Sequence, residues 1–403
     1  MTVQVDVVIV GGGVIGVSAA YALCQEQKAL HVLLLEARTI ANASSSSAGD
    51  SRMFRCMYSR EYFGRMKLAA LRDWQLLEEA AGVGLLKRHG LLFYGDVETG
   101  ETVQGSVPDA HRTMQRMGIP HEYLHAEQLN CRWPMRAKQG CEGVYEPGAG
   151  SVHANQAISA MARLAQQRGL EIREGEEVAS IRRLQSGKMR VRTKKGSVIH
   201  AAKVVVAAGP WTNELLRPLG VQLDLEIWAV HWGHAWVDPG RREQYPQWYS
   251  FGRERPATWD GGLYYGFPPD STEPVAKVGC DFAPDCRQFR VKSMADFHWE
   301  PDPVIVSFLE AFLRDNWLGL DSGLRDVRVS PYTMTRDGFF VLDRIPGMPE
   351  VSVFAGGSGR AFKFAPLLGR CLADLTLDRR PCFDVSPLRM QRSSVWLESN
   401  AQP

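Results

Sequence analysis

The segment VVIVGGGVIG, residues 7–16, decides the fold of this 403-residue chain. Its four branched apolar residues predict a strand that is buried on both faces. The glycines that follow lead into a helical pattern over residues 17–24, and a second apolar run, Val32–Leu35, ends in Glu36. The order strand, glycine turn, helix and strand predicts the opening unit of a parallel α/β sheet.

Each glycine of the turn has a mechanical reason. Gly11 permits a tight turn, Gly13 lets a pyrophosphate approach the backbone, and Gly16 lets the helix pack closely on the strand. The helix N-terminus also offers unpaired N–H groups to phosphates. Glu36 can accept hydrogen bonds from ribose hydroxyls and would repel a 2′-phosphate. The unit therefore predicts dinucleotide binding, with FAD or NAD favoured over NADP; a glycine turn that binds nothing is the alternative.

Length and composition are those of an ordinary globular protein with two lobes. The chain is 45% apolar and 23% charged, and its net charge of +2 gives no reason to expect nucleic acid or a membrane as partner. Its eight cysteines form no C-x-x-C pair and no zinc-type spacing, so we expect reduced thiols, no metal and a cytoplasmic location. No apolar run is long enough for a membrane span, and we expect no signal peptide.

Two later segments return to the parallel-sheet pattern. In residues 203–213 (KVVVAAGPWTN) the pattern predicts a buried strand that ends in Gly209 and leads into a helix, separate from the strand predicted at residues 198–201. Residues 351–359 (VSVFAGGSG) repeat the strand and glycine turn. These extra turns fit a long, buried FAD better than NAD. The predicted fold class is α/β, with a Rossmann-like nucleotide domain built from discontinuous segments and an inserted α+β substrate domain with a mainly antiparallel sheet. The predicted bounds are 1–60, 143–220 and 330–390 for the nucleotide domain, 61–142 and 221–329 for the substrate domain, and 391–403 for a C-terminal tail.

Five stretches, spread along nearly the whole chain, match the motifs of one known protein family in the order in which that family has them. They are residues 11–16 with Glu36, 49–55 (GDSRMFR), 207–211 (AAGPW), 264–268 (YYGFP) and 355–364 (AGGSGRAFKF). With them the chain resembles the amine-oxidising flavoproteins of the D-amino-acid oxidase superfamily. It is most similar to the branch that holds monomeric sarcosine oxidase, N-methyltryptophan oxidase, pipecolate oxidase and the imine-oxidising flavoenzyme of nikkomycin biosynthesis.

The resemblance implies roles for four cations. Arg55 and Lys363 match two residues that clamp the substrate carboxylate, where an arginine fork binds in a bidentate way and a lysine adds a point charge. Lys277 matches the lysine that helps oxygen accept electrons from reduced flavin, because a cation stabilises the charge that develops. Arg52 matches an arginine beside the flavin. A solvated surface position is the alternative for each of them.

The resemblance also implies the other site residues. Tyr265 and Tyr332 match tyrosines that line the substrate cavity, although they could be plain core aromatics. The cofactor contacts that it implies are Gly11, Gly13, Val14, Ile15, Gly16, Glu36, Ala37, Arg38, Ser47, Asp50, Ser51, Arg52, Ala208, Gly209, Trp211, Gly357, Gly359, Arg360, Ala361, Phe362 and Lys363.

Two positions depart from the family pattern. Ser330 stands where the family has the cysteine that forms a thioether to the flavin, so we expect FAD to be bound without a covalent link. Arg360 stands where the sarcosine oxidase pattern has a histidine. A further positive charge there could favour a dicarboxylic or otherwise anionic substrate, or it could form an ion pair within the protein.

The resemblance implies an FAD-dependent oxidase of a secondary, N-methyl or cyclic amino acid, or of a related imine. Hydride transfer to the flavin would give an imine, and O2 would reoxidise the flavin to give hydrogen peroxide. The expected partners are a small amino-acid-like substrate and O2, and the expected state is a monomer or dimer. The alternatives are a dehydrogenase that uses another acceptor, an NAD-dependent dehydrogenase and a non-catalytic flavin-binding subunit.

Overall fold

The computed structural model describes residues 2–26, 30–97, 102, 104–251, 262–269, 273–283 and 289–396. Cys286 and residues 397–403 of the predicted tail lie outside the described residues. The helices are α1 (Val14–Leu23), α2 (Glu61–Ala81), α3 (Val107–Arg116), α4 (Ala126–Arg132), α5 (Ala154–Gln166), α6 (Thr212–Leu216), α7 (Pro303–Asn316) and α8 (Ala365–Thr376). The strands are β1 (Thr2–Val10), β2 (Val32–Leu35), β3 (Ser51–Phe54), β4 (Leu86–Arg88), β5 (Leu91–Asp96), β6 (Glu122–His125), β7 (Cys141–Glu146), β8 (Gly150–His153), β9 (Glu171–Arg173), β10 (Val178–Arg183), β11 (Met189–Thr193), β12 (Val198–Val206), β13 (Leu225–Trp236), β14 (Gln247–Phe251), β15 (Leu263–Phe267), β16 (Val275–Phe282), β17 (Arg290–Val291), β18 (Arg325–Thr335), β19 (Val341–Ile345) and β20 (Met348–Ala355).

The opening strand lies at the centre of a parallel sheet. β1 pairs in parallel with β2 and with β12, which in turn pair in parallel with β9 and β20. β10 and β11 add an antiparallel edge beside β12, and β19 pairs antiparallel with β20. Strands from distant parts of the sequence therefore share one sheet, which confirms the α/β prediction.

One predicted break in this sheet is wrong. Residues 198–201 and the strand predicted from Lys203 form the single strand β12. It pairs with β1 along its length, from Val198 opposite Thr2 to Val206 opposite Val10. The polar residue at 203 interrupts the apolar pattern without interrupting the backbone hydrogen bonds, because a strand needs only its backbone to continue the ladder.

The second sheet is mainly antiparallel, as predicted. Its strands follow the order β17, β13, β16, β15, β14, β5, β7 and β6, and β18 pairs with β13. Of these pairs only β14 with β5 is parallel. A third sheet joins β3, β8 and β4.

Two strands lie across the predicted domain bounds. β7 spans the bound at residue 143 and β18 spans the one at residue 330, and both strands pair within the antiparallel sheet. The division into domains stays a prediction. Bounds close to Glu146 and Thr335 would leave the parallel sheet and the antiparallel sheet each intact.

Buried apolar side chains cover both faces of the parallel sheet. One cluster joins α1, α2, α5 and α8 to the sheet, and a second lies on the opposite face with α6. Because apolar burial is the main stabilising contribution to folding, these two layers hold the glycine turn of β1 in a rigid setting. Among the described residues, no helix has the length and apolar character that crossing a membrane requires.

Candidate active site

The glycine turn after β1 is as tight as its sequence predicts. Gly11 has φ +107°, and a Cβ at this position would lie 2.4 Å from the carbonyl oxygen of Ala207. A Cβ on Gly16 would lie 1.9 Å from the carbonyl oxygen of Gly11. Gly13 caps α1 without a side chain, and the N–H of Val14 donates to Ser47 Oγ at 3.1 Å. Because Gly13 carries no side chain, a phosphate can approach the backbone closely at the N-terminus of α1.

Glu36 stands beside the turn at the end of β2. Its side chain is buried and accepts hydrogen bonds from the N–H of Gly12 at 2.7 Å and from the N–H of Arg38 at 2.9 Å. Each carboxylate oxygen has a second lone pair, so the group can also accept ribose hydroxyls. These residues fit a dinucleotide.

A cavity runs from this turn into the space between the two sheets. Two of the predicted cofactor residues lie outside its lining: Gly16 packs beneath the turn, and the exposed Asp50 accepts from Asn155 Nδ2 at 2.9 Å. The predicted residues that line the cavity are Gly11, Gly13, Val14, Ile15, Glu36, Ala37, Arg38, Ser47, Ser51, Arg52, Arg55, Ala208, Gly209, Trp211, Tyr265, Lys277, Tyr332, Gly357, Gly359, Arg360, Ala361, Phe362 and Lys363.

Arg52 and Lys277 form a pair of cations on one side of the cavity. The Arg52 guanidinium donates to the carbonyl oxygens of Ser51 and Ser46 at 2.8 and 3.1 Å. Lys277 Nζ lies 4.4 Å from the centre of the Trp232 ring. Burial, together with the charge of Arg52, lowers the pKa of Lys277 to about 7. The protonation of Lys277 is therefore sensitive to any negative charge placed in the cavity.

Arg55 and Lys363 are brought together in the same cavity. Both are buried, and both face the ring of Tyr58, with Arg55 Cζ at 4.4 Å and Lys363 Nζ at 6.0 Å from its centre. Burial lowers the pKa of Lys363 well below its ordinary value, and the nearby charges of Arg55 and Arg360 lower it further. A bound carboxylate would relieve this repulsion, so the pair is suited to an anion.

A buried ion pair supports the backbone around Arg55. Arg55 follows β3, and the N–H of the next residue, Cys56, donates to Glu146 Oε2 at 2.7 Å. Glu146 Oε1 lies 3.2 Å from Lys67 Nζ on α2. Glu146 and Lys67 are only 1% and 4% exposed, so this contact is shielded from solvent and holds the chain near Arg55 in place.

Asp281 is a buried acid of the cavity that the sequence reasoning missed. Its Oδ2 accepts from Tyr249 Oη at 2.9 Å and from Gln104 Nε2 at 3.5 Å, and Gln104 Oε1 accepts from Arg55 Nη2 at 3.1 Å. Burial raises the pKa of Asp281, while hydrogen bonds from Tyr249 and Tyr332 oppose that rise. A signal existed in the sequence, because residues four apart on a strand face the same side, and Asp281 follows Lys277 at that spacing on β16.

The predicted tyrosine of β15 fits in a row of residues across three strands. Tyr265 lies opposite Tyr249 on one side and Gly279 on the other. A Cβ on Gly279 would lie 2.4 Å from Tyr265 Cζ, so only a glycine leaves room for this ring. Burial raises the pKa of Tyr265, which keeps its hydroxyl protonated at neutral pH.

The two residues that depart from the family pattern also line the cavity. Ser330 Oγ accepts from Trp232 Nε1 at 2.9 Å. Arg360 is 7% exposed, its Nε donates to the carbonyl oxygen of Ser358 at 3.3 Å, and its Cζ lies 5.1 Å from the centre of the Phe63 ring. Lys363 Nζ donates to the carbonyl oxygen of Arg360 at 3.1 Å, so Arg360 adjoins the cation pair.

Comparison with known proteins agrees with this geometry. A family model for FAD dependent oxidoreductases matches residues 6–375. Human peroxisomal sarcosine oxidase is 31% identical over 402 residues, which cover 96% of each chain. N-methyl-L-tryptophan oxidase from Salmonella heidelberg (strain SL476) is 29% identical over 394 residues, which cover 96% of this chain and 99% of that protein.

Solved structures extend the comparison to the fold. NikD, an unusual amino acid oxidase essential for nikkomycin biosynthesis, matches with a TM-score of 0.87 and 26% identity over 96% of this chain and 97% of its own. L-proline dehydrogenase from P. horikoshii shares the fold, with a TM-score of 0.77 and 19% identity over 96% of this chain and 97% of its own. The resemblance inferred from the motifs is confirmed, and the chain belongs to the family of FAD-dependent oxidoreductases.

Proposed function

We propose that this protein is an FAD-dependent oxidase of a secondary, N-methyl or cyclic amino acid. The observation that carries the proposal is the shared cavity: Arg55, Lys363 and Asp281 line the same space as the dinucleotide turn at Gly11. In a flavin site, the two cations match the carboxylate of an amino acid, and the acid matches its positively charged nitrogen. The amino-acid oxidases among the relatives support the same substrate class.

The chain would hold FAD through its first βαβ unit. The turn and the N-terminus of α1 would bind the pyrophosphate, and Glu36 would bind the ribose hydroxyls. Bound FAD supplies the acceptor for the hydride next to the substrate nitrogen and, through reoxidation by O2, hydrogen peroxide. Ser330 has no thiol, so we propose non-covalent binding. Acid precipitation should release all yellow colour to the supernatant, and colour that stays with the protein would contradict this.

Arg55 and Lys363 would bind the substrate carboxylate and thereby orient the molecule. A substrate carboxylate between them favours the charged form of Lys363, so substrate binding stabilises that form. Asp281 would face the substrate nitrogen, where its negative charge stabilises the positive charge that the nitrogen carries as hydride leaves. Its hydrogen bond from Tyr249 keeps the carboxylate in one orientation.

Lys277 would assist the reaction with oxygen. A protonated Nζ stabilises the negative charge that O2 acquires, and Arg52 adds a second positive charge beside it. This arrangement favours an oxidase over a dehydrogenase with another acceptor. The yield of peroxide per amine oxidised separates the two: a yield near one supports the oxidase, and a yield near zero supports the dehydrogenase.

The variant Arg55→Ala tests the carboxylate site. Loss of a charge-assisted hydrogen-bonded contact should weaken binding of a carboxylate inhibitor by about 10- to 150-fold, as expected for about 1.5–3 kcal/mol. Arg112→Ala, at an exposed position of α3, serves as the matched control and should bind normally. An unaltered dissociation constant in Arg55→Ala would remove this residue from the site, and failure of any amino acid to bleach the flavin without oxygen would exclude catalysis.

We also propose that Arg360 selects a substrate with a second anionic group. Arg360 and Gln104 line both the flavin cavity and an outer cavity of about 820 Å³. The outer cavity is also lined by Arg60 and by Arg290, whose Cζ lies 4.0 Å from the centre of the Trp228 ring. The acids of this lining, Asp224, Glu226 and Asp337, lie in ion pairs with Lys292, Arg336 and Arg392. An acidic side chain reaching from Arg55 and Lys363 toward this space would therefore meet the positive charge of Arg360.

Substrate preference tests the role of Arg360. At pH 8, where a histidine is ordinarily neutral, Arg360→His should lower kcat/KM for a dicarboxylic N-methyl amino acid by about 10- to 150-fold relative to N-methylalanine. Arg112→His should leave the ratio unchanged. An equal loss for both substrates would show that Arg360 only supports the structure. The cytoplasmic location and the monomeric or dimeric state stay predictions.

A further inference from the structure

One cysteine of α8 and one in the segment that follows this helix lie close enough to react with each other. Cys371 Sγ and Cys382 Sγ are 3.7 Å apart. Cys371 is buried on the helix, and Cys382 is exposed in the segment that follows it. Closing this gap to the roughly 2 Å of a disulfide needs a small movement of an exposed side chain. The pair lies outside the flavin cavity, so the proposed reaction does not use it.

The surroundings give the two thiols different chemical characters. The hydrogen bond from Cys371 and the positive charge of Arg370 lower the pKa of Cys382, and partial burial, Asp374 and Asp73 only partly oppose this. The same hydrogen bond and burial raise the pKa of Cys371. The N–H of Cys382 donates to Asp374 Oδ2 at 3.0 Å, which holds its backbone next to the helix. An accessible thiol with a lowered pKa beside a buried thiol with a raised pKa is the arrangement found where one cysteine is oxidised and its neighbour completes a disulfide.

We propose that Cys371 and Cys382 form a modification site at which hydrogen peroxide converts the dithiol into a disulfide. The Cys382 thiolate attacks one peroxide oxygen, the O–O bond breaks, and the leaving hydroxide takes a proton to become water. The Cys382 sulfenic acid is then attacked by Cys371, whose thiol proton leaves with the departing hydroxide as a second water. The dithiol loses two electrons and two protons, and the peroxide is reduced to two waters.

The proposal rests on the proposed function only for the source of peroxide, since an oxidase produces this reagent at each turnover. The site itself is independent of catalysis and can be tested with added peroxide and no amine. The two outcomes are thus separable: an enzyme without oxidase activity could still form the disulfide, and an active oxidase could lack it.

Thiol counting and peptide mapping test the site. The reduced holoenzyme is treated with hydrogen peroxide, the peroxide is removed, and the protein is alkylated under denaturing conditions; we expect two of its eight thiols to be lost. Trypsin cleaves after Arg379, so the disulfide should appear as peptide 371–379 joined to peptide 380–389 and should separate on reduction. Retention of all eight thiols, or a link that joins other cysteines instead, would overturn the proposal.

Variants assign the two roles. Cys371→Ser should leave a Cys382 sulfenic acid that dimedone captures. Cys382→Ser should keep its remaining thiol, Cys371, reduced at the same peroxide dose. Cys131→Ser is the matched control, because Cys131 is also exposed. It should form the disulfide at the wild-type rate. Equal oxidation of Cys371 in wild type and Cys382→Ser would exclude Cys382 as the attacking thiol, whatever effect either substitution has on folding.

Discussion

Replacement of Lys277 by methionine separates the two half-reactions of the proposed oxidase. Methionine keeps most of the length of the side chain and removes the charge. Lys277 Nζ lies 3.4 Å, and Arg52 Nη1 3.5 Å, from the position that a Cβ on Gly49 would occupy, so the two cations are neighbours. The lysine charge should matter only when O2 acquires negative charge, not when the amine transfers hydride.

Coulomb's law gives the size of the effect for an oxygen in contact with the lysine. Two unit charges about 4 Å apart interact by about 4 kcal/mol at an effective dielectric constant of about 20, which is about a thousandfold in rate. Arg52 remains beside the site and supplies part of the stabilisation. We therefore expect flavin reoxidation in Lys277→Met to slow by about 10²- to 10³-fold, with anaerobic reduction changed by less than about threefold.

The pH dependence has a definite sign. The pKa of Lys277 is lowered from 10.5 to about 7, mainly by burial, so the fraction of charged lysine falls as the pH rises through 7. The reoxidation rate of the wild type should fall above that pH, and that of Lys277→Met should be flat. Stopped-flow measurement of each half-reaction checks both statements, with the exposed Lys188→Met as control. Equal slowing of reduction and reoxidation would refute the reasoning.

Three further predictions concern other residues. Asp281→Asn should slow anaerobic flavin reduction by about 10²-fold. In the wild type this rate should fall as the pH falls through the raised pKa of Asp281, and in the variant that fall should be absent. A pH profile of the reduction rate that is the same in both proteins would contradict this. Lys67→Met leaves the Glu146 carboxylate buried without its partner, so urea unfolding should report a free energy of unfolding lower by about 3–5 kcal/mol, and a loss below about 1 kcal/mol would argue against a stabilising ion pair. Gly11→Ala should lose bound FAD, as measured by flavin absorbance after gel filtration, because its Cβ would meet a backbone oxygen at 2.4 Å, whereas Gly84→Ala, with open space around it, should retain FAD.

The local features of the fold could be predicted because short segments encode them. The glycine turn, α1 and β2 follow from periodicity and from steric limits within about thirty residues, and the structure has β2 at the predicted Val32–Leu35. Lys203 misled the prediction of β12 because a polar side chain says little about backbone pairing. Local patterns also do not show which sheet a strand joins, so the predicted domain bounds cut through β7 and β18, which pair with strands far away in the sequence.

The sequence likewise predicted some features of the site and not others. Motifs identified Arg55 and Lys363 as separate matches, but their meeting around Tyr58 depends on packing between segments about three hundred residues apart. Asp281 has no motif of its own and joins the cavity only because β16 lies between β13 and β15. The lowered pKa of Lys277 likewise needs the burial that the folded state imposes.

The order of residues alone thus predicted a dinucleotide site on the first βαβ unit, because backbone geometry and helix termini act over a few residues. Tertiary structure alone decided which charges share the cavity and which two thiols touch. Those contacts depend on non-local pairing of strands and helices, and the effect of a charge on its neighbours depends on the burial that this pairing creates.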